Sequence, residues 1–392
     1  MRRIDPNTAQ AARSSTIRNI NKHMVLNFVR DREPISRAEL SRVTELQRST
    51  ISIIIDELVQ EGLIEEIGTG ESSGGRRPTM LRLRAEGAMA IGVDVTPTVT
   101  TVAICDIAGR IVARESFATE SSLKTTHSKI IEYVSRMKEK NSERRIEGIG
   151  VSLPGLVDPV SGKALYIPYF KWREWNIAGE LKSATGLNVI IDNDANASAL
   201  AELWFGRPEI SNARDFILVL VADGIGTGII FDGQIYRGNY GAAGEFGHMI
   251  VGQNSINPCS CGNYDCWEAF SSNRSAVARY AKATENNISF SNLIDLALAG
   301  EQSAIDALSE TAHYLGIGIT NLIVGLSPET VVVSGEITRA WSLVAEAFIE
   351  PVRTSIRRGL PSSRIVQSSL KDSPTLKGAL SLVLAKKFSF TS

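Results

Sequence analysis

The stretch NVIIDNDANASALAELWFG, residues 188–206, sets an apolar, β-branched run against an Asn/Asp turn and follows it with an alanine-rich helical segment. The same change of texture recurs along the chain. RIEGIGVSLPGLVDP (145–159), DFILVLVADGIGTGIIFDGQIYRG (215–238) and ETVVVSGEI (329–337) each run an apolar strand into a Gly, Asn or Asp turn, with helical stretches between several of them. AIGVDVTPTVTTVAICDIAGRIVARES (90–116) reads as apolar strands turned at Ala108-Gly109. Strands alternating with helices predict an α/β body beginning near Ala88, with loops at the strand ends where ligands usually bind.

Ahead of that body the pattern is helical. Apolar residues Ile17, Ile20, Met24 and Phe28 follow at steps of three and four and predict a first helix with that stripe inward. After Glu33-Pro34, Ser36 and Glu39 have the spacing of a capping box and start a second helix. LQRSTISIIIDELVQEG (46–62) carries Ile51, Ile54, Ile55 and Leu58 on one face and stops at Gly62, a third helix only a few residues on. Such a pair predicts a helix-turn-helix whose second helix lies in the DNA major groove. Its polar side offers Gln47, Arg48, Ser49, Thr50 and Ser52 to base edges or phosphates, with Arg37 from the helix before it. Gln47 is a poor N-cap, which leaves the start of that helix open. LIEEIGTGESSGGRRPTMLRL (63–83) follows as two short strands around a Gly/Ser loop bearing Arg76 and Arg77, suited to a wing that reaches an adjacent groove. The acidic Asp56, Glu57, Glu61, Glu65 and Glu66 must then face away from phosphate. A helical protein-interaction module is the alternative reading of the same helices.

The 392 residues, 43% hydrophobic and 22% charged with a net charge of −1, fit a globular protein of two or three domains. Residues 1–87 hold 14 Lys+Arg against 12 Asp+Glu, a net of +2, and the remainder 28 against 31, a net of −3, so the mildly basic part is the front. Neither a signal-peptide core nor an apolar run near the roughly 20 residues of a membrane span is present, and the expected location is the cytoplasm, with no stable membrane insertion.

Three of the four cysteines and one of the four histidines crowd into GEFGHMIVGQNSINPCSCGNYDCWE, residues 244–268. One imidazole, His248, and three thiols, Cys259, Cys261 and Cys266, make a tetrahedral donor set that suits zinc and leaves no open position for a metal-activated water. One structural zinc per chain is therefore expected; buried free thiols beside an unrelated histidine are the alternative. The flanking Glu245 and Glu268 call for a second role. Carboxylates that accept two hydroxyl protons fix the stereochemistry of a sugar ring, and folding this loop around a metal brings both glutamates to one rim, opposite Asn193 and Asp194. Read alone, Glu245 could equally cap a turn and Asn193-Asp194 form an Asx turn. The aromatic run YIPYFKWREW (166–175) fits either stacking on a sugar or packing between lobes.

With SLPGLVD (152–158), IDNDANASALAE (191–202), GAAGEFGHM (241–249) and CSCGNYDCWE (259–268), the chain resembles the ROK family of sugar kinases and sugar-responsive repressors, over essentially its whole length. The resemblance implies an N-terminal winged helix-turn-helix and linker (1–85), then a two-lobed actin-like sugar-binding fold: lobe I (86–200) and lobe II (201–392) with the zinc-binding loop and a C-terminal helix returning to lobe I. It places zinc on His248, Cys259, Cys261 and Cys266, and sugar on Asn193, Asp194, Glu245, His248 and Glu268, with His248 turning one nitrogen to the metal and its other side to a hydroxyl. In the family's kinases an aspartate at position 194 deprotonates the sugar, and a D-x-G-G-T turn holds ATP phosphates. Here that turn is Asp94-Val95-Thr96-Pro97-Thr98, in which Pro97 has no N–H and Thr96 adds a branched side chain. A second glycine-rich turn carries Asp223, whose charge opposes polyphosphate, and a third is reduced to Ser334-Gly335-Glu336. The expectation is a non-enzymatic, sugar-responsive repressor of carbohydrate uptake or catabolism genes, with operator DNA, a small sugar effector and a second copy of the chain (a homodimer or dimer of dimers) as partners. The alternatives are an active ATP-dependent sugar kinase with an accessory DNA-binding head, and a repressor controlled by a transporter protein rather than by sugar.

Overall fold

The computed structural model describes residues 14–70, 77–355, 363–370 and 373–388. Helix Ser14–Arg32 leads into Arg37–Thr44, whose N-cap Ser36 accepts from the Glu39 N–H at 3.2 Å, as the capping-box spacing predicts. The chain turns at Glu45 in the left-handed region and enters the recognition helix Arg48–Gln60. Gln47 is its N-cap and makes no side-chain cap bond, so the helix start left open in the sequence lies at Arg48. Strands Ile35–Ser36, Thr79–Leu83 and Ile64–Thr69, in that order, complete the winged head.

The recognition helix buries Ile51, Ile54, Ile55 and Leu58 as its periodicity predicts. The first helix does not follow its expected stripe: Val25, Leu26 and Val29 are buried, Met24 and Phe28 only partly, and Ile17 and Ile20 are exposed. The physical reason is its partners. This helix meets the recognition helix on one side and the C-terminal helix Pro374–Phe388 on the other, a contact that no local pattern encodes.

Two five-stranded sheets form the body. The first has the order Val189–Asn193, Ile146–Leu153, Met89–Val95, Val99–Asp106, Ile111–Ala118, with two parallel and then two antiparallel pairings. The second has the order Arg364–Gln367, Thr330–Gly335, Phe216–Val221, Ile225–Phe231, Gln234–Ile235 and the same sequence of pairings. The body is thus a duplicated unit. A small sheet, Leu156–Asp158, Lys163–Ile167 and Trp172–Trp175, is inserted after the first unit's second parallel strand.

Helices Leu123–Lys140 and Ile177–Thr185 cover one face of the first sheet. Its other face takes the C-terminal helix so closely that a Cβ on Gly150 would lie 1.8 Å from the Ala379 carbonyl oxygen, and one on Gly92 2.8 Å from Leu380. The second sheet is covered on one face by Gln302–Leu326 and its neighbouring helices. On the other face lies helix Asp194–Phe205, whose Ala195 and Ala199 pack on Phe216, Leu218 and Val332. No helix among the described residues is long and apolar enough to cross a membrane.

Candidate functional site: a sugar cleft beside a metal centre, and a DNA-reading head

The strand Val189–Asn193 delivers Asn193 and Asp194 to the cleft between the sheets. Asn193 is the N-cap of the helix that follows: its Oδ1 accepts from Ala195 N at 2.9 Å and Asn196 N at 3.4 Å, while its Nδ2 donates to the Gly155 carbonyl at 3.0 Å. The Asx reading of this pair therefore describes the backbone, and one amide proton is left for a ligand. Burial pushes the Asp194 carboxyl up to about 7, reinforced by the nearby charges of Asp94 and Glu245 and opposed by the Ala195 N–H. Asp94, near the end of the strand Met89–Val95, two strands away in the same sheet, is 6% exposed and is pushed up to about 6 by the same desolvation, against a hydroxyl bond of 2.7 Å from Thr375 to its Oδ2. The buried Ser152 hydroxyl neighbours the same carboxyl and opposes the shift.

Glu245 and His248 sit in one 3-10 turn, Glu245–His248. The imidazole is shared: Nδ1 lies 3.3 Å from Cys259 Sγ, and Nε2 lies 3.6 Å from Glu245 Oε2. Burial raises the Glu245 carboxyl, with His248 opposing and Glu268 adding to the effect. The ligand atoms of His248, Cys259, Cys261 and Cys266 all lie within 4.8 Å of one another, a spacing that could hold a metal ion. Trp267, fully buried and donating from Nε1 to the Tyr314 carbonyl at 3.0 Å, anchors this loop in the core of the second unit. Burial and the adjacent Cys259 push the Cys266 thiol up to about 12.

Glu268 is 7% exposed. It accepts from Ser260 Oγ at 2.8 Å and Ile225 N at 3.3 Å, and Arg274 approaches at 3.4 Å. The structure thus sets Asp194 near Glu245, and Glu245 near His248 and Glu268, with Asn193 beside Asp194, but gives Asn193 and Glu268 internal partners as well. Asp192 is a site residue the sequence did not single out. Buried to 1% exposure, it receives two bonds from Arg237, at 2.9 and 2.7 Å, and so ties the end of the first sheet to the loop leaving the second. A carboxylate and an arginine so far apart in the chain leave no mark in local pattern.

On the head, Gln47, Arg48 and Ser49 are exposed, and Thr50 and Ser52 half-buried. Arg77 is exposed, and Arg76 lies outside the described residues. Arg37 holds Asp56 at 2.8 Å and Glu66 at 3.1 Å, and leans on the Ser52 carbonyl. It braces both helices and the wing strand and is paired with two of the head's carboxylates. Ile53, missed in the sequence because it breaks a polar face, is 55% exposed.

Residues 90–386 match the ROK family and residues 19–77 the MarR family. The chain belongs to the ROK family. It is 32% identical over 374 residues to the xylose repressor of Bacillus subtilis (strain 168), covering 94% of this chain and 96% of that one. It is 27% identical over 387 residues to the DNA-binding transcriptional dual regulator NagC of Escherichia coli (strain K12), covering 96% and 95%. Among solved structures, a ROK family transcriptional regulator described as a homolog of the E. coli MLC protein superposes with a TM-score of 0.79 at 26% identity, over 95% of this chain and 97% of that one. A ROK family glucokinase from Streptomyces griseus, in complex with glucose and AMPPNP, superposes with a TM-score of 0.68 at 26% identity, over 75% and 98%. The kinase covers three quarters of this chain's length and the regulator almost all of it.

Proposed function

We propose that this protein is a sugar-responsive DNA-binding repressor of carbohydrate uptake or catabolism genes. The observation that carries the reading is one chain that matches the MarR family over 19–77 and the ROK family over 90–386 and aligns over almost its full length with the xylose repressor and NagC. A polyhydroxylated ring suits the cleft. Asp194, Glu245 and Glu268 accept hydroxyl protons, the free amide proton of Asn193 donates, and His248 offers its second nitrogen while the first faces the metal set. The donor set of three sulfurs and one imidazole suits zinc in a closed, structural role. The head ends near residue 85, with lobe I over 86–200 and lobe II over 201–392. Two half-sites call for paired heads, hence a homodimer or a dimer of dimers, acting in the cytoplasm.

Phosphoryl transfer is disfavoured at the first hairpin turn of the body. The Thr96 N–H and hydroxyl both donate to the Val99 carbonyl, at 3.1 and 2.8 Å, and Pro97 has no N–H to offer a phosphate. Asp223, exposed at the equivalent turn of the second unit, adds negative charge there. A kinase reading keeps one observation in its favour: Asp194 titrates near neutrality, as a general base does. Turnover of ATP with any of a panel of sugars would establish it.

The deciding experiment is an anisotropy titration of operator DNA with and without pentoses, hexoses and amino sugars. A 5- to 150-fold change in operator Kd with one of them, the range of about 1–3 kcal/mol of coupling, is expected. No change with any sugar removes the effector from the reading and turns attention to a protein partner such as a transporter component.

A further inference from the structure

The recognition helix exposes two apolar side chains, Ile53 at 55% and, near its C-terminal end, Val59 at 38%. Opposite the buried Ile51, Ile54, Ile55 and Leu58 lie Ser49, Ile53 and Asp56, and Ile53 keeps 55% of its surface exposed. Asp56 is one turn along and is neutralised by Arg37 at 2.8 Å, so the strip around Ile53 does not repel a phosphate backbone. The apolar feature of the major groove is the C5-methyl group of thymine, and an alkyl side chain standing in a row of hydroxyls has that methyl as its complement. We infer that Ile53 reads a thymine in each half-site by methyl contact. The inference rests on the DNA-binding reading, and its test separates the two. Operators are first selected from random duplexes with the full-length protein. Each thymine is then replaced in turn by deoxyuridine, which deletes only the methyl. Wild type should lose about three- to fivefold in affinity at one thymine per half-site, the cost of about one buried methyl. Ile53→Ala should lose a similar factor on the thymine operator and be indifferent to deoxyuridine there, with an unchanged melting temperature. Equal deoxyuridine sensitivity of the two proteins, or none in wild type, overturns the assignment of Ile53. Failure to select any sequence overturns DNA reading itself.

A second set of contacts concerns how the cleft reaches the head. Helix Asp194–Phe205 and the C-terminal helix Pro374–Phe388 touch at Ala197 and Gly378, where a Cβ on Gly378 would lie 2.5 Å from the Ala197 carbonyl carbon. Both begin at the cleft, one with Asp194 and the other with Thr375, which donates to Asp94 at 2.7 Å. Both end under the head. The Arg30 guanidinium lies 5.0 Å from the Trp204 ring and 4.7 Å from the Phe388 ring, and Asn27 Nδ2 donates to the Phe388 carbonyl at 2.8 Å. One apolar cluster runs unbroken from Val25, Leu26 and Val29 through Ala88 and Ala90 to Leu380, Val383 and Phe388. We propose that this helix pair transmits the state of the cleft to the head, with Asp94–Thr375 as the joint at one end and Asn27 and Arg30 on Trp204 and Phe388 as the joint at the other. A shift of Asp94 on sugar binding moves a rod about 20 Å long whose far end holds the first helix of the head.

Thr375→Val keeps shape and removes the hydroxyl; Asn27→Ala loosens the other end. Each should keep its melting temperature within a few degrees, and Asn27→Ala should keep the wild-type sugar Kd. In both, the ratio of operator Kd with and without sugar should fall at least threefold towards one, and by reciprocity operator DNA should lose the same factor of influence on sugar Kd. A merely structural role changes affinities and leaves that ratio alone. Wild-type ratios in both variants overturn the route, whereas a wild type without any sugar response overturns the function on which it rests.

Discussion

Asp194 is held near neutrality by desolvation, with Asp94 and Glu245 as its charged neighbours, and this makes the cleft sensitive to pH in a defined direction. The native carboxyl binds its proton more tightly than an unfolded one, whose ordinary value is 3.8. Stability from this group is therefore full below about pH 4 and is lost as pH rises through about 7. Asp194→Asn should melt like wild type at pH 4 and be more stable by about 1–3 kcal/mol at pH 8, read by denaturant titration. A sugar hydroxyl that donates to this carboxylate has the opposite preference. Sugar affinity should rise about tenfold between pH 6 and pH 8, and the rise should vanish in Asp194→Asn. A flat profile in wild type would place the sugar elsewhere. At the metal set the expectation is simpler: Cys266→Ser, which removes a fully buried ligand, should release the metal measured by atomic emission and weaken the sugar response, because Glu245 and His248 share one turn. Unchanged metal content would count against the ligand assignment.

At the scale of single elements, the head shows which features of a sequence survive folding. The second helix could be read because its cap is local: Ser36 and Glu39 are three residues apart and bond as that spacing requires. The recognition helix could be read because its isoleucines face only its own small core. The first helix could not, since Val25, Leu26 and Val29 are inward only because the far end of the chain returns to cover them. The same division runs through the cleft. Contiguous motifs gave the four donors that could hold a metal and the carboxylates of the candidate sugar site, whereas the Arg237–Asp192 tie and the Thr375–Asp94 bond join residues that only the tertiary fold makes neighbours. Arg37 illustrates the middle case, chosen as a DNA contact for its charge but committed to Asp56 and Glu66. Arg37→Ala should cost less than about 1 kcal/mol of stability, because the pairs are exposed, yet weaken operator binding by freeing two carboxylates at the interface. Replacing Asp56 and Glu66 by Ala in the same protein should restore most of that binding, which a direct phosphate contact through Arg37 would not allow. The exposed Arg77 behaves differently: with Arg76 also changed to Ala, the slope of log affinity against log salt should flatten by up to about 1.8, two phosphates' worth of counterions.

For the whole molecule, the distribution of cores decides what unfolds together. The head shares its cluster with the C-terminal helix, with Ala88 and with Ala90 and Cys105 of the first sheet, so it cannot melt without exposing the back of that sheet. The cluster containing Trp267 is separate and belongs to the second unit, where the metal loop is anchored. The two units are joined by the tie from Arg237 to Asp192 and by helix Asp194–Phe205, which packs on the second sheet through Ala195 and Ala199 and against the C-terminal helix at Ala197 and Gly378. The large apolar clusters on the two sheets are nonetheless distinct, and distinct cores unfold with their own cooperativity. Calorimetry of the full chain should therefore resolve two transitions. Zinc chelation should lower the one that includes the Trp267 cluster, since metal bound only to the native state stabilises it by mass action, and leave the other within about 2 °C. Hydrogen exchange assigns them: amides of Ile51–Leu58 and Leu380–Leu384 should lose protection together, ahead of or behind those of Leu315–Ile323 but not with them. A single transition that moves as a whole on chelation would mean that the cleft, rather than the head, is the strongest joint in the molecule.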